Sequence, residues 1–516
     1  MKLQHMKSKI AFSAADIKQI EDHGLTIPQI ENQLAGFRSG FSPVNLIAAA
    51  TTDQGIFSYS KKEQQSLVNL FDENASDYQM ARFIPASGAA TRMFRDLFAA
   101  VEAIKNNWDI PAAADKFLKN LKKFAFYDEL KDVMKNAGQD IDALLAKSDW
   151  MPVLDAVLKK DGLNFASKPK AFIPFHRYKG FSRTALEEQI YEGLTHAVGH
   201  NNTLNIHFTI SPEHLKEFKV LSAGILSALK EKCDINIKVS HSFQQKSTDT
   251  IAVDMENNPV RDHSGRLVFR PGGHGALLQN LNDIKAEMVF LKNIDNIVPD
   301  WHREDTIWFK KVLGGCLMQL VNDIHAYLIM LDDGNVEEDD LNDMISFAAN
   351  KLFIEVPEWL SEADPLEKMD FLFGVFNRPV RVCGMVKNEG EPGGGPFFVE
   401  DPNGNTSLQI VESSQVDTGN AAQKKILLSS THFNPVDIVC WKNDFRGAPF
   451  DLNEFADPES GFIAQKSFEG KDIKAMELPG LWNGAMADWN TVFVEVPLST
   501  FNPVKEINDL LREMHQ

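Results

Sequence analysis

The chain has 516 residues, 43% of them hydrophobic, and a formal net charge of −19. That length permits a sizeable buried core and gives a soft expectation of roughly three domains, or one α/β core with large insertions. The acidic balance excludes a dedicated nucleic-acid binder, because phosphate contacts need a basic face. Cys233, Cys316, Cys383 and Cys440 lie far apart without a CxxC pair or a His/Cys cluster, which excludes a disulfide framework and a structural zinc site.

Residues 1–78 read as a helical N-terminal extension. "SAADIKQIEDHG" has a Ser cap, an acidic first turn and a terminal Gly, and "SKKEQQSLVNLFDENA" has helical spacing. The N-terminus turns polar before an apolar run reaches signal-peptide length, and no run of about 18 apolar residues follows. A cytoplasmic protein with no membrane partner is expected.

Residues 79–516 read as one α/β domain. It opens on "ARFIPASGAATRMFRDL", a strand closing on small residues before a helix start. A tight βα connection accounts for this pattern. So does a phosphate loop, in which Ala86, Ser87, Gly88 and Ala89 let backbone N–H groups approach an anion and Arg92 adds a forked cation. Amphipathic runs over about 95–165 read as a helical insertion, and 301–375 as a second. Between them "NIHFTIS", "INIKVSHSF", "RLVFR" and "EMVFLKNID" alternate with helical runs, as in an α/β sheet. From "RPVRVCGMV" onward β-rich runs mix with Gly/Pro loops.

Four further stretches carry chemistry-bearing residues in chain order. "KPKAFIPFHRY" offers Lys170, which is otherwise a solvated lysine on an edge strand. "FRPGGHGALLQNL" sets His274 among Gly272, Gly273 and Gly275, so that backbone can pass close to a flat group while the imidazole donates to phosphate or sugar. "EMVFLKNIDNIVPD" ends an apolar strand on Asp295, where a carboxylate can take Mg²⁺ at the carboxyl edge of a sheet; an Asx turn is the plainer alternative. "VPLSTFNPVKEINDLL" presents Lys505 after a proline.

"PASGAATRM" resembles the opening signature of sugar nucleotidyltransferases, keeping Gly88, Thr91, Arg92 and Met93 but carrying Ala90 where those enzymes have a second glycine. "PKAFIPF" resembles their "PKALLPV" element, "PGGHG" the "PPGHG" loop of UDP-glucose pyrophosphorylases, and "FLKNIDNI" their "SNIDNL". "SFQQKS" is similar to their "FNQ", and residues 472–511 to a segment ending "NVPRSRFLPVKTTSDLL". The chain thus resembles the nucleotide-diphospho-sugar transferase group, most of all UTP–sugar-1-phosphate uridylyltransferases, in a branch that departs from the standard enzymes in the loop and in both insertions.

The resemblance implies a Rossmann-like GT-A type fold with a mixed central sheet, and transfer of UMP from UTP to a sugar 1-phosphate with Mg²⁺ as cofactor. It implies catalytic cations at Arg92, Lys170 and Lys505, and Gln245 reading uracil beside Gly273, His274 and Gly275. It further implies sugar contacts from Asn293, Glu412 and Asn434, and a metal held by Asp295 with Asp488 as a second carboxylate. A nucleotide-sugar binding protein that lost turnover stays open, as does, on weaker grounds, a glycosyltransferase, although "NIDN" lacks that class's DxD.

Overall fold

The computed structural model describes residues 12–88, 90–391 and 393–516. Among them a ten-stranded sheet forms the centre of a mixed α/β architecture. Its main path runs Ile56–Phe57, Asn490–Glu495, Val380–Lys387, Asp437–Trp441, Met288–Lys292, Met80–Pro85, Thr203–Thr209 and Val198–Gly199, with Asn236–Ser242 also pairing Thr203–Thr209. Asp437–Trp441 is antiparallel to both its neighbours, which returns Met288–Lys292 and Val380–Lys387 to the same direction. The carboxyl ends of 80–85, 288–292, 380–387 and 490–495 therefore lie along one edge.

The central strands are apolar on both faces, as sheets covered on both sides require. All five residues of Met288–Lys292 and all five of Asp437–Trp441 are buried. One face is covered by the 30-residue helix Glu304–Asp333, whose Leu313, Leu317 and Val321 share a core with Phe290, Val382 and Val439. Gly314 and Gly315 let it approach the helix Lys61–Asn74 closely. A Cβ on Gly314 would sit 2.5 Å from the Phe71 ring, and one on Gly315 would overlap Leu67 O. By length and composition this helix could cross a membrane, but 61% of its apolar window is buried inside the protein. Within the segment read as a second insertion, this helix forms a layer of the fold, because its apolar residues meet the sheet. Leu277, Leu281, Met486 and Trp489 cover the other face.

Residues 95–158 are helical, from Arg95–Lys105 to Trp150–Leu158, and pack Phe117, Phe124, Phe126 and Leu130 into one aromatic-rich core with Ile84. The N-terminal segment differs from an all-helical extension. Its first helix carries the expected cap at Ser13, and the helix Lys61–Asn74 is capped in the same way by Ser60. However, Asn45–Ala49 pairs with Gly395–Glu400, and Ile56–Phe57 joins the central sheet beside Asn490–Glu495. Both strands are specified by partners hundreds of residues away, beyond the reach of local periodicity.

Candidate functional site

The loops at the shared carboxyl edge enclose a cleft of about 320 Å³. Three of these strands deliver polar residues there as the chain leaves the sheet. Asn293 and Asp295 follow 288–292, Arg92 lies beyond 80–85, and Lys505 lies beyond 490–495. Lys170, on the short 3₁₀ turn Lys170–Phe172, completes the set. Glu412 and Asn434 line the same cleft, together with Trp482, Phe433 and Phe501.

The Lys170 ammonium donates to Asp295 Oδ2 at 2.6 Å and to Val504 O at 2.8 Å. The segments behind it are zipped together. Val504 N–H donates to Asp295 O, and Asn502 N–H to Asn296 Oδ1 at 2.8 Å. Lys505 Nζ reaches Glu391 Oε2 at 3.4 Å and lies 5.6 Å from the Phe501 ring centroid. Arg92 is exposed and makes no ion pair among the described residues.

The opening loop is settled partly by packing. Ala86 N–H donates to Thr209 O and Ala90 N–H to Lys168 O. Ala90 is fully buried in the core with Met93 and Phe94. The methyl that stands where the resembled signature has a glycine therefore faces the core. Ser87 O accepts from Ser211 Oγ, while Gly88 is exposed, with nothing within 4 Å of an added Cβ. Ala89 lies outside the described residues.

The glycine–histidine loop differs from expectation. A Cβ at Gly273, whose φ is +74°, would sit 2.7 Å from Glu477 Oε2, and one at Gly275 would overlap Pro479 O. These glycines are required by the neighbouring segment 477–480. His274 does not line the cleft; it stacks behind Trp482 with centroids 4.5 Å apart and planes 18° from parallel. Its Nδ1 accepts the Leu481 N–H at 3.0 Å. Burial pushes its pKa below the ordinary histidine value, with Glu412 and Glu477 pulling the other way.

Two expected residues fall outside the cleft, and a third is engaged by the fold. Gln245 donates to Asp283 Oδ2 at 3.2 Å and is outside the cleft lining. Asn434 lines the cleft, but its Nδ2 donates to Gly384 O and its Oδ1 accepts Val436 N–H. That amide braces Val436, a β-branched residue at φ +60°, where the left-handed backbone costs about 1–2 kcal/mol. Asp488 precedes Asn490–Glu495, so it sits at the opposite edge of the sheet from Asp295. From Asn490 to Val494, which pairs with Gly384 near the cleft floor, is roughly 13 Å at strand rise, and Asp488 lies before that strand begins. The two carboxylates cannot share an ion; strand direction, invisible in "MADWNT", separates them.

Beneath the floor lies an ionic cluster with no sequence signature. Lys292 precedes Asn293, and Asp437 follows Val436. Lys292 Nζ binds both Glu192 oxygens at 2.9 Å, Arg82 binds Glu192 at 2.8 Å, and Lys310 pairs with Asp437. All five are at most 2% exposed. Burial lowers Lys292 to about 8 although Glu192 opposes it. Three cations face two carboxylates, so the floor carries an excess of positive charge suited to an anion.

Asp295 Oδ1 makes no hydrogen bond among the described residues, and no group of three or more His, Cys, Asp or Glu gathers among them. One hard carboxylate oxygen fits Mg²⁺ of the kind completed by phosphate oxygens and water.

The chain matches, over residues 13–516, the family described as Domain of unknown function (DUF4301). No curated protein matches it. Among solved structures, the UDP-glucose pyrophosphorylase from Leishmania major, known in open and closed structures, is 12% identical, with 97% of this chain and 79% of that one covered and a TM-score of 0.42. The Trypanosoma brucei uridine diphosphate N-acetylglucosamine pyrophosphorylase in complex with inhibitor is 12% identical, with 97% of this chain and 79% of that one covered and a TM-score of 0.46. At such scores nothing is carried from those enzymes to the residues of this cleft. The chain belongs to the DUF4301 family.

Proposed function

We propose that this protein is a sugar-1-phosphate nucleotidyltransferase of GT-A type fold, forming UDP-sugar and pyrophosphate from UTP and a sugar 1-phosphate. The observation that carries the reading is the convergence of Arg92, Lys170, Lys505 and Asp295 on one cleft at the carboxyl edge of the sheet. These residues come from four separate stretches that each resemble the same enzyme group.

The reaction brings two anions together. A sugar-phosphate oxygen bonds to the α-phosphorus of UTP in line, and the bond from that phosphorus to the pyrophosphate oxygen breaks. Positioning and charge neutralisation supply most of the acceleration. Arg92 and Lys505 bind the triphosphate, and Lys170 takes the sugar phosphate, leaving Asp295 as it does so. Asp295 holds Mg²⁺, which when bound offsets charge on the triphosphate.

A second reading, a nucleotide-sugar binder without turnover, is favoured by one observation: Lys170 is already engaged by Asp295 and Val504 O. A pyrophosphate-release screen of sugar 1-phosphates against four nucleoside triphosphates separates the two. Release with UTP and one sugar phosphate is expected. Calorimetry showing that neither UTP nor any other triphosphate binds in the presence of Mg²⁺ would sink both readings.

A further inference from the structure

Trp482 was not among the residues expected from sequence to touch a ligand, yet it lines the cleft with Glu412 and the three cations. Its indole is held on one side by a ring, and its backbone is tied down on both sides. His274 stacks on it at 4.5 Å, and that imidazole is pinned by the N–H of Leu481, the residue just before the tryptophan. A side chain at Gly480 would begin 2.7 Å from His274 Cε1, so the glycine keeps the imidazole in place. The carbonyl of Trp482 accepts from Arg381 Nη1 at 2.8 Å, and Arg381 is wholly buried and also donates to Thr491 Oγ1. Asn483, next in the chain, is tied to Gln415 at 2.9 Å. An aromatic surface fixed by its neighbours loses little freedom when a ligand covers it.

Resting on the function proposed above, we propose that Trp482, braced by His274, is the residue that selects the sugar: it packs against the C–H face of a pyranose whose phosphate is held by Lys170. Ring C–H groups carry partial positive charge, and the indole face carries the complementary negative quadrupole. Glu412, in the same cleft, accepts hydrogen bonds from the sugar hydroxyls. Gln245, the residue expected to read uracil, is bound to Asp283 outside this cleft. The volume of about 320 Å³ lies at the small-ligand end of the usual range for binding pockets. His274 then acts as a positioning residue behind the indole.

The test uses calorimetry on the full chain with inorganic phosphate, a panel of aldose 1-phosphates (glucose, N-acetylglucosamine and mannose) and UTP with Mg²⁺. Trp482→Leu is expected to weaken the preferred aldose 1-phosphate at least tenfold while inorganic phosphate and UTP stay within twofold. Trp482→Phe should recover most of the loss, and His274→Ala should weaken the same ligand severalfold. Unchanged aldose-phosphate affinity in Trp482→Leu overturns the proposal, as does a wild type that binds none of the panel. Equal loss of UTP would make Trp482 a base platform, and equal loss of inorganic phosphate would make it structural; either outcome rejects the sugar assignment. Failure of wild type to bind UTP, with aldose phosphates still bound through Trp482, would instead reject the transferase reading.

Discussion

Lys170 and Asp295 meet at 2.6 Å, although 125 residues separate them in the chain. Each is about one-sixth exposed, so the pair is neither freely solvated nor sealed. In the function proposed above, the ammonium would take a phosphate and the carboxylate a divalent cation.

Asp295→Ala should therefore abolish the Mg²⁺-dependent part of UTP binding and leave a weaker, Mg²⁺-independent remainder. Lys170→Met should lower turnover about a hundredfold, in line with loss of a charge-stabilising group. Calorimetry with and without Mg²⁺, and pyrophosphate release, read the two effects separately. Equal UTP affinity in wild type and Asp295→Ala at saturating Mg²⁺ would remove Asp295 from the site.

Glu391 holds Lys505 at 3.4 Å from the glycine-bearing turn before Gly395–Glu400. Both side chains are around 40% exposed, so the pair itself contributes little stability. A phosphate binding Lys505 must displace Glu391. Glu391→Gln should therefore tighten pyrophosphate binding severalfold at low salt, and the gain should fade as salt rises. A weaker or salt-independent response would show that the carboxylate does not compete with the anion.

Ala90→Gly, which restores the glycine of the sugar nucleotidyltransferase signature, should not improve UTP binding, because the methyl faces the core. It should instead cost about 1 kcal/mol of stability through lost packing and added chain freedom. Urea unfolding and UTP titration of one preparation check both halves. A clear affinity gain would mean that the methyl crowds the ligand after all.

His515 Nδ1 lies 3.0 Å from His176 Nε2, and His176 Nδ1 lies 2.9 Å from Glu188, a chain that ties the C-terminus to the interior. Burial, with His176 and Arg512 nearby, pushes His515 down to about 3. The folded state thus binds fewer protons than the unfolded chain below the ordinary value of about 6.5. Its contribution is present above that value and is lost as pH falls toward the folded pKa. Between pH 6.5 and 5 the loss is about 2 kcal/mol. Urea midpoints across that window should fall for wild type and fall less steeply for His515→Phe. Parallel slopes would rule His515 out as the titrating group.

Much of the cleft was legible because its residues sit where a buried apolar strand runs out. Asp295 after "MVFLK" and Arg92 after "ARFIP" are polar residues at strand ends, and a parallel sheet gathers such ends on one edge. Asp488 misled because a residue just before a strand resembles one just after it until the direction of the strand is known. Asn434 and Gln245 are amides of the right type that the fold engages with Gly384, Val436 and Asp283.

Legible from the residues alone were the α/β class, the helix cap at Ser13, and the chain order of the stretches that carry Arg92, Lys170, Asp295 and Lys505. These are local properties, set by side-chain periodicity and capping chemistry within a few residues. Only the tertiary structure decided that Lys170 pairs with Asp295, that the Ala90 methyl turns into the core, that His274 lies behind Trp482, and that Arg82, Lys292 and Lys310 gather under the floor. Each of those depends on groups brought together across the fold, where burial and distance, rather than residue type, decide which hydrogen bonds and charges remain free for a ligand.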